Sequence, residues 1–286
     1  MFKLNCIFAS DIHGKIKYYE KLFHIIQKEK PDGVFLGGDL LPNQLINQKI
    51  ESFIKKEIFL KIKKIKTSIK KDIRFFLILG NDDPRFYEKL FLSADRKKLI
   101  DYVHNKTVQF NEFYVTGYAY VPPTPFQLKD WEKYDVSRFV DVGAVSPEAG
   151  FRTIDVPENK IRDSTISEDL ENLSEKSPAE KTIFLFHSPP YNSCLDRADL
   201  DDKKLDHAPF DVHIGSIAIQ RFINKKQPLL TLHGHVHEST RLTGFWREKI
   251  GNTYCFSAAY DGPEFALVRF DTADLQNATR EIIQIL

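Results

Sequence analysis

The chain has 286 residues, 42% of them hydrophobic and 28% charged, which excludes a fibrous or disordered polymer and reads as a soluble, globular protein. Its formal net charge of +1 gives no whole-molecule attraction to nucleic acid or acidic membrane, so any binding preference must be local. Cys6, Cys194 and Cys255 lack the spacing of a zinc knuckle or redox pair, so a reducing, cytoplasmic setting is expected. No signal-peptide pattern opens MFKLNCIFAS, and no apolar run approaches the ~18–20 residues of a membrane span.

In chain order, residues 2–9 read as a strand, 15–29 as a helix, 33–36 as a strand and 73–79 as another, the alternation of a layered α/β sheet. Between the second and third strands, Ile46, Ile50, Ile54, Ile58, Ile62, Ile65 and Ile69 recur every three or four residues, which predicts a helix over 44–71. Its many lysines are the expected solvated outer face of an amphipathic helix. A strand pair follows around 108–121. Residues 122–180, which start PPTP and run through ISEDLENLSEKSPAE, have no firm periodicity; they read as an insertion with a short helix near 166–173 in a single domain spanning 1–286. The α/β pattern returns with KTIFLFH as a strand, 214–225 as a helix and PLLTLH as a strand. Short strands about RLTGF, TYCFSAA, EFALVRF and REIIQIL complete the chain and suggest two sheets.

Four of these strands end in groups that bind metals: CIFASDIHG, VFLGGDL, FFLILGND and TIFLFHSP; LLTLHGHVHE adds three histidines. Taken singly, each is also a plausible turn or a satisfied core histidine. Together they are better explained by convergence, because the carboxyl ends of strands in an α/β sheet open onto one crevice. The donors are imidazole, carboxylate and amide without thiolate, a set suited to Mn, Fe, Zn, Co or Ni rather than Mg or Ca.

In order and rough interval, DIHG, GGD, GND, the histidine after TIFLF, and GHVH resemble the calcineurin-like metallophosphoesterases, from residue 7 to about 259. HSPPYNSCLD, HIGS and LHGHVHES resemble a small prokaryotic-type branch of that superfamily. The resemblance implies an α/β fold with two β-sheets sandwiched between helices, αββα. It also implies two divalent or trivalent transition-metal ions, one held by Asp11, His13, Asp39 and His237, the other by Asp39, Asn81, His187 and His235, with Asp39 shared and the ions ~3.5–4 Å apart. The implied reaction is hydrolysis of a small phosphomonoester or phosphodiester by a metal-bridging hydroxide. His233 is left as a supporting or structural histidine.

The family usually has a histidine directly after the GN asparagine to protonate the leaving oxygen. This chain has Asp82 there, and a carboxyl with an ordinary pKa of ~3.9 beside cations is ionised at neutral pH and cannot donate. Three readings stay open: Asp82 orients a substrate group or water, His213 or His207 supplies the proton, or the leaving group needs little help. His213, in HIGS before a helix, is the favoured donor, and Asp83 reads as a turn-forming or supporting acid. The competing functions are a nuclease of the same superfamily, which the lysine-rich helix suggests and the neutral total charge opposes, and a non-catalytic protein scaffold. All seven ligand positions hold competent donors, which argues against the scaffold. Nucleic acid and membrane are not expected partners.

Overall fold

The computed structural model describes residues 3–43 and 48–285. It contains β1 (Asn5–Ala9), α1 (Ile16–Glu29), β2 (Gly33–Gly37), α2 (Gln48–Phe53), a π-helical stretch Ile54–Phe59, α3 (Leu60–Ser68), β3 (Arg74–Ile78), α4 (Glu88–Arg96), β4 (Asp101–Tyr102), β5 (Thr107–Phe110) and β6 (Phe113–Tyr118). There follow α5 (Glu158–Arg162), α6 (Ile166–Ser174), β7 (Thr182–Phe186), the short hairpin β8 (Lys204–Leu205) and β9 (Ala208–Pro209), α7 (Ile217–Lys226) and β10 (Leu230–His233). The chain continues through α8 (Ser239–Thr243), β11 (Arg247–Ile250), β12 (Thr253–Ser257), β13 (Phe265–Asp271) and β14 (Asp274–Ile283).

Two six-stranded sheets form, in the orders β14-β13-β1-β2-β3-β4 and β11-β12-β10-β7-β6-β5. The central strands β1, β2 and β3 run parallel, as do β6, β7, β10 and β12; antiparallel hairpins close three of the four edges, and the fourth is β4, which pairs parallel with β3. The runs CIFA, GVFLG, RFFLI and TIFLF are apolar on both faces because each sheet is covered on both sides. One side packs on the other sheet, with β3 facing β6 and β2 facing β7. Phe256 of one sheet lies 6.3 Å from Phe270 of the other. The outer side of the second sheet carries α7, through Phe222 against Phe184 at 4.8 Å, with α6 beside it. The expected two-sheet sandwich between helices is the fold observed.

The predicted lysine-rich helix is present from Gln48 to Ser68, and Ile46 lies outside the described residues. Ile50, Ile54, Ile58 and Ile62 are all buried although they step by four, which overshoots an α-helical turn by roughly 40° each time. The π-helical stretch wraps more residues per turn and takes back that drift, with Leu60 N–H bonded five residues back to the Lys55 carbonyl. Ile69 is extended and lies past the helix.

Several elements differ from expectation: α4 has no counterpart in the sequence reading and β14 begins at Asp274 rather than within REIIQIL, while two further differences have a clear local cause. RLTGF is not a strand: residues 239–243 form α8, which ends at Gly244 with φ +79°, and the strand begins at Arg247. A left-handed residue after a helical turn is a common stop, and glycine takes it without strain. The helix expected from 214 begins at Ile217, because the Ser216 hydroxyl caps it by accepting from Ile219 N–H at 3.0 Å.

Residues 122–157 hold no strand or helix, yet they are not a loose excursion. Trp131 joins the main hydrophobic core, as do Ile166, Leu170 and Leu173 of α6, which follows. Lys129 and Glu132 form a fully buried ion pair of 2.6 Å, with the ammonium also donating to the Thr124 carbonyl at 2.9 Å.

Candidate metal centre

Each expected donor sits just beyond a strand: Asp11 and His13 after β1, Asp39 after β2, Asn81 after β3, His187 after β7, His235 and His237 after β10. β1, β2 and β3 are mutually parallel, as are β7 and β10, so within each sheet these ends share an edge. The two edges meet at the donors.

The backbone there turns sharply. Asp11, His13, Asp39 and His235 have φ of 55°, 46°, 51° and 72°, a left-handed conformation that is uncommon for non-glycine residues and concentrates at functional sites. Asp11 N–H donates to the Gly38 carbonyl at 3.0 Å and His13 N–H to the Asp39 carbonyl at 2.8 Å, which locks the first two loops together. Gly38, with φ +97°, lies so close to His187 that a Cβ would stand 2.6 Å from Nδ1.

The seven side chains form one connected cluster. His187 is fully buried; its Nδ1–H donates to the Gly37 carbonyl at 2.8 Å, which turns Nε2 towards Asn81 Oδ1 at 2.9 Å and Asp39 Oδ2 at 3.3 Å. The His187 and His235 rings are 5.2 Å apart. His237 Nε2 lies 3.4 Å from Asp11 Oδ1 and 3.3 Å from His13 Nε2. Asp11 also accepts from the His235 N–H at 3.0 Å and from the Ser10 hydroxyl. Asn43 Oδ1, 3.1 Å from His13 Nδ1, orients that ring.

The charges in this cluster call for cations. Burial opposes ionisation of Asp11, but hydrogen bonding to His237 and the neighbouring histidines hold its carboxyl below the usual range. The same contest, burial against His187, lowers Asp39. The histidines respond: despite burial, His187 is pushed up to about 10 by Asp39, and His237 to about 9 by Asp11. Burial and the charge on His187 depress His235 to about 3. The bare cluster thus neutralises its carboxylates by protonating two histidines that have metal-ligand geometry. Facing Nε2 atoms 3.3 Å apart match the spacing of two nitrogens sharing a tetrahedral shell with bonds of about 2.05 Å. The residues fit metal ions.

Asp11, His13 and His237 form one group with donor atoms in mutual reach, Asp11, Asp39 and His187 a second, and His13, Asp39 and Asp82 a third. The third places the Asp82 carboxylate among the donor atoms themselves. Its carboxylate is 3.7 Å from His13 Nδ1 and accepts from Asn81 Nδ2 at 3.0 Å. In the cluster without ions, burial and the charge of Asp39 raise it to about 6, so it still ionises below neutral pH.

Asp83 is fully buried and accepts from Leu40 N–H at 3.0 Å, Leu41 N–H at 2.7 Å and Gly80 N–H at 2.9 Å. One carboxylate thereby ties the loop carrying Asp39 to the loop carrying Asn81. From outside, Trp131 Nε1–H donates to the Asp83 carbonyl at 2.7 Å, and Asp130 accepts from Arg85 N–H at 2.7 Å. Nothing in the sequence marked Trp131, Asp130 or Asn43 for these roles; only Asp83 carried a signal, through its place in GNDD.

His233 is buried with both nitrogens engaged, by the Ser188 carbonyl at 2.9 Å and the Thr231 hydroxyl at 2.7 Å, so it is structural. His213 stands outside the cluster. Its Nδ1–H donates to the buried Asp196 carboxylate at 2.8 Å, and its ring meets Tyr191 at 6.0 Å. The loop that carries it is tied to the segment after His187 by Ser216 N–H donating to the Pro189 carbonyl at 2.9 Å. His207 is exposed at the tip of the β8–β9 hairpin.

A family model described as calcineurin-like phosphoesterase matches residues 4–239. The chain belongs to that family. An uncharacterized protein of Methanocaldococcus jannaschii is 38% identical over 76 residues, 26% of this chain and 29% of that protein, so the match spans less than a third of that relative. A solved structure from Thermus thermophilus aligns with TM-score 0.59 and 15% identity over 99% of this chain and 100% of that one. A dimetal phosphatase from Danio rerio aligns with TM-score 0.49 and 10% identity over 98% and 99%. Among the described residues no helix is long and apolar enough to cross a membrane.

Proposed function

We propose that this calcineurin-like phosphoesterase hydrolyses a small phosphomonoester or phosphodiester, a nucleotide being one such ester, with two transition-metal ions. Asp11, His13, Asp39 and His237 would hold one ion, and Asp39, Asn81, His187 and His235 the other. The observation that carries this reading is the single cluster of seven donors from five strand ends, with His187 Nε2 3.3 Å from the buried Asp39 carboxylate and His237 Nε2 3.4 Å from that of Asp11. The chemistry such ions supply when bound is Lewis acidity, which lowers the pKa of water and neutralises charge on phosphoryl oxygens.

The protein's own part is orientation. Gly37 fixes the His187 tautomer, Ser10 and the His235 amide fix Asp11, and Asn43 fixes His13; such partners commonly set ligand affinity by about 10–100-fold. Beside Asp11, His13 and His237 a cavity of about 90 Å³ is walled by Lys15, Tyr260 and Glu264, the natural place for the ester. Asp82, hydrogen-bonded to Asn81 and near His13, would orient a substrate group or water. His213, held through Nδ1 by Asp196, would donate the Nε2 proton to the leaving oxygen. The 122–180 segment is read as an insertion within one domain, and its buried Asp130 and Trp131 steady the turn that carries Asn81.

The test is metal analysis of purified protein, followed by assay of the metal-replete form on a panel of mono- and diesters, with Asp39→Asn as control. Bound metal and ester hydrolysis that both fail in the variant are expected. A metal-replete protein inert on every ester would overturn the reading.

A further inference from the structure

Residues 48–71 hold nine lysines and only two acidic residues, Glu51 and Glu57. That local charge of +7, in a chain whose total is +1, leaves −6 on the rest. The near-neutral total therefore hides a strongly basic pole. Both acids of the segment are already engaged, Glu51 by Lys55 and Glu57 by Lys61, while Lys71 pairs with Asp32 at 2.6 Å. Lys49, Lys56, Lys63, Lys64 and Lys70 are exposed and have no partner among the described residues.

These side chains sit on a stiff support. The isoleucine row at 50, 54, 58, 62 and 65 is buried in the main core, so the helix cannot roll to hide its charge. At about 1.5 Å per residue its described length of Gln48–Ser68 spans about 30 Å, close to one turn of duplex nucleic acid.

We infer that this outer face is a docking surface for the phosphate backbone of nucleic acid. Two observations favour that partner over an anionic membrane. A membrane-surface helix offers an apolar face to the bilayer, whereas here that face is committed to the core and Leu60, 45% exposed, is the lone large apolar side chain exposed on the described helix. The unpaired charge is also spread along the helix axis rather than gathered at one end, which suits a linear array of phosphates. The contact would be sequence-independent, because lysine is a point charge on a flexible stem and reads phosphate, not bases. This inference stands apart from the proposed hydrolysis: the protein could bind nucleic acid with or without cleaving it.

The experiment is fluorescence anisotropy with a labelled DNA duplex of about two helical turns, titrated with full-length protein in chelator at several salt concentrations. Five free lysines predict a slope of log K against log salt of about −4 to −5. In Lys56→Gln/Lys63→Gln/Lys64→Gln the slope should shrink by about 3 and affinity should fall more than about tenfold at low salt, while turnover of a small ester and the unfolding midpoint stay unchanged. Vesicles of phosphatidylserine with phosphatidylcholine serve as the competing probe. Absence of salt-sensitive duplex binding, equal binding by the triple variant, or lysine-dependent binding to vesicles alone would each overturn the inference. Wild-type protein that binds the duplex but, when metal-replete, hydrolyses no ester would instead count against the proposed reaction.

Discussion

The loops that carry the candidate metal donors and the loop that carries His213 hold their side chains in place by different means. The donor loops are short, leave adjacent strands and brace one another: three backbone N–H groups converge on Asp83, and left-handed turns aim Asp11, His13, Asp39 and His235 inward. The stretch from Ser188 to Ser216 is long and holds its histidine through one buried side chain, Asp196, which also gathers the N–H groups of Asn192, Ser193 and Gly215. Position in the first region is set by the sheet. In the second it is set by a hydrogen-bond hub, so the donor loops should fail by losing metal and the His213 loop by losing proton transfer.

The largest effect is expected at the shared carboxylate. Asp39→Asn keeps the shape but removes the charge that faces His187, and turnover should drop by more than about 100-fold together with metal content. Wild-type metal content in this variant would break the comparison. Next come His213→Gln and Asp196→Asn. General acids contribute about 10²–10⁴, so hydrolysis of alkyl esters should fall about 100-fold while aryl esters with good leaving groups and metal content change little. Equal losses on both ester classes would return His213 to a packing role.

How much of this was legible in the sequence follows the same division. That Asp11, His13, Asp39, Asn81, His187, His235 and His237 share one crevice could be read because each follows an apolar run, and strand ends are where a parallel sheet gathers side chains. The strand pattern suggested two sheets, and their packing as a sandwich between helices came from the family resemblance. Trp131 could not be found: its partner, the Asp83 carbonyl, is 48 residues away, and its neighbourhood lacks the periodicity that would have placed it. RLTGF was misread as a strand because β-branched and aromatic residues suit a pleated surface, whereas the chain makes one helical turn there and stops it at Gly244. The π-helical stretch was invisible as such, although the run of four-residue isoleucine steps is its signature in retrospect.

Asp83→Asn should produce an intermediate effect. The amide can accept through one oxygen only, leaving at least one of the Leu40, Leu41 and Gly80 N–H groups short of a partner. An unsatisfied buried donor costs about 1–3 kcal/mol, readable as a lower unfolding midpoint in apo protein, with weaker metal binding because two donor loops come untied. Trp131→Phe retains the ring and removes one hydrogen bond, for a loss of about 1 kcal/mol. If the outer brace matters to the site, its metal affinity falls; an unchanged affinity would restrict Trp131 to core packing.

The last effect concerns pH and lies away from the donors, at His104. Desolvation of the half-buried ring, with the positive charges of Arg85 and Lys133, holds its pKa well below the ordinary 6.5. The geometry agrees, because Nδ1 accepts the Ala119 N–H at 3.0 Å and a proton there would displace that bond. In the unfolded chain the imidazole takes up a proton as pH falls through about 6.5, whereas the folded chain resists until lower pH. The unfolded state therefore binds more protons in that window. The stability due to neutral His104 is fully present above about 6.5 and is lost as pH falls below it, by at most about 1.4 kcal/mol per unit. Denaturant unfolding between about pH 7.5 and about pH 5.5, roughly one unit either side of the ordinary histidine pKa, should show a shallower acid loss in His104→Asn than in wild type. Parallel profiles would mean that His104 protonates as readily in the folded chain as in the unfolded one.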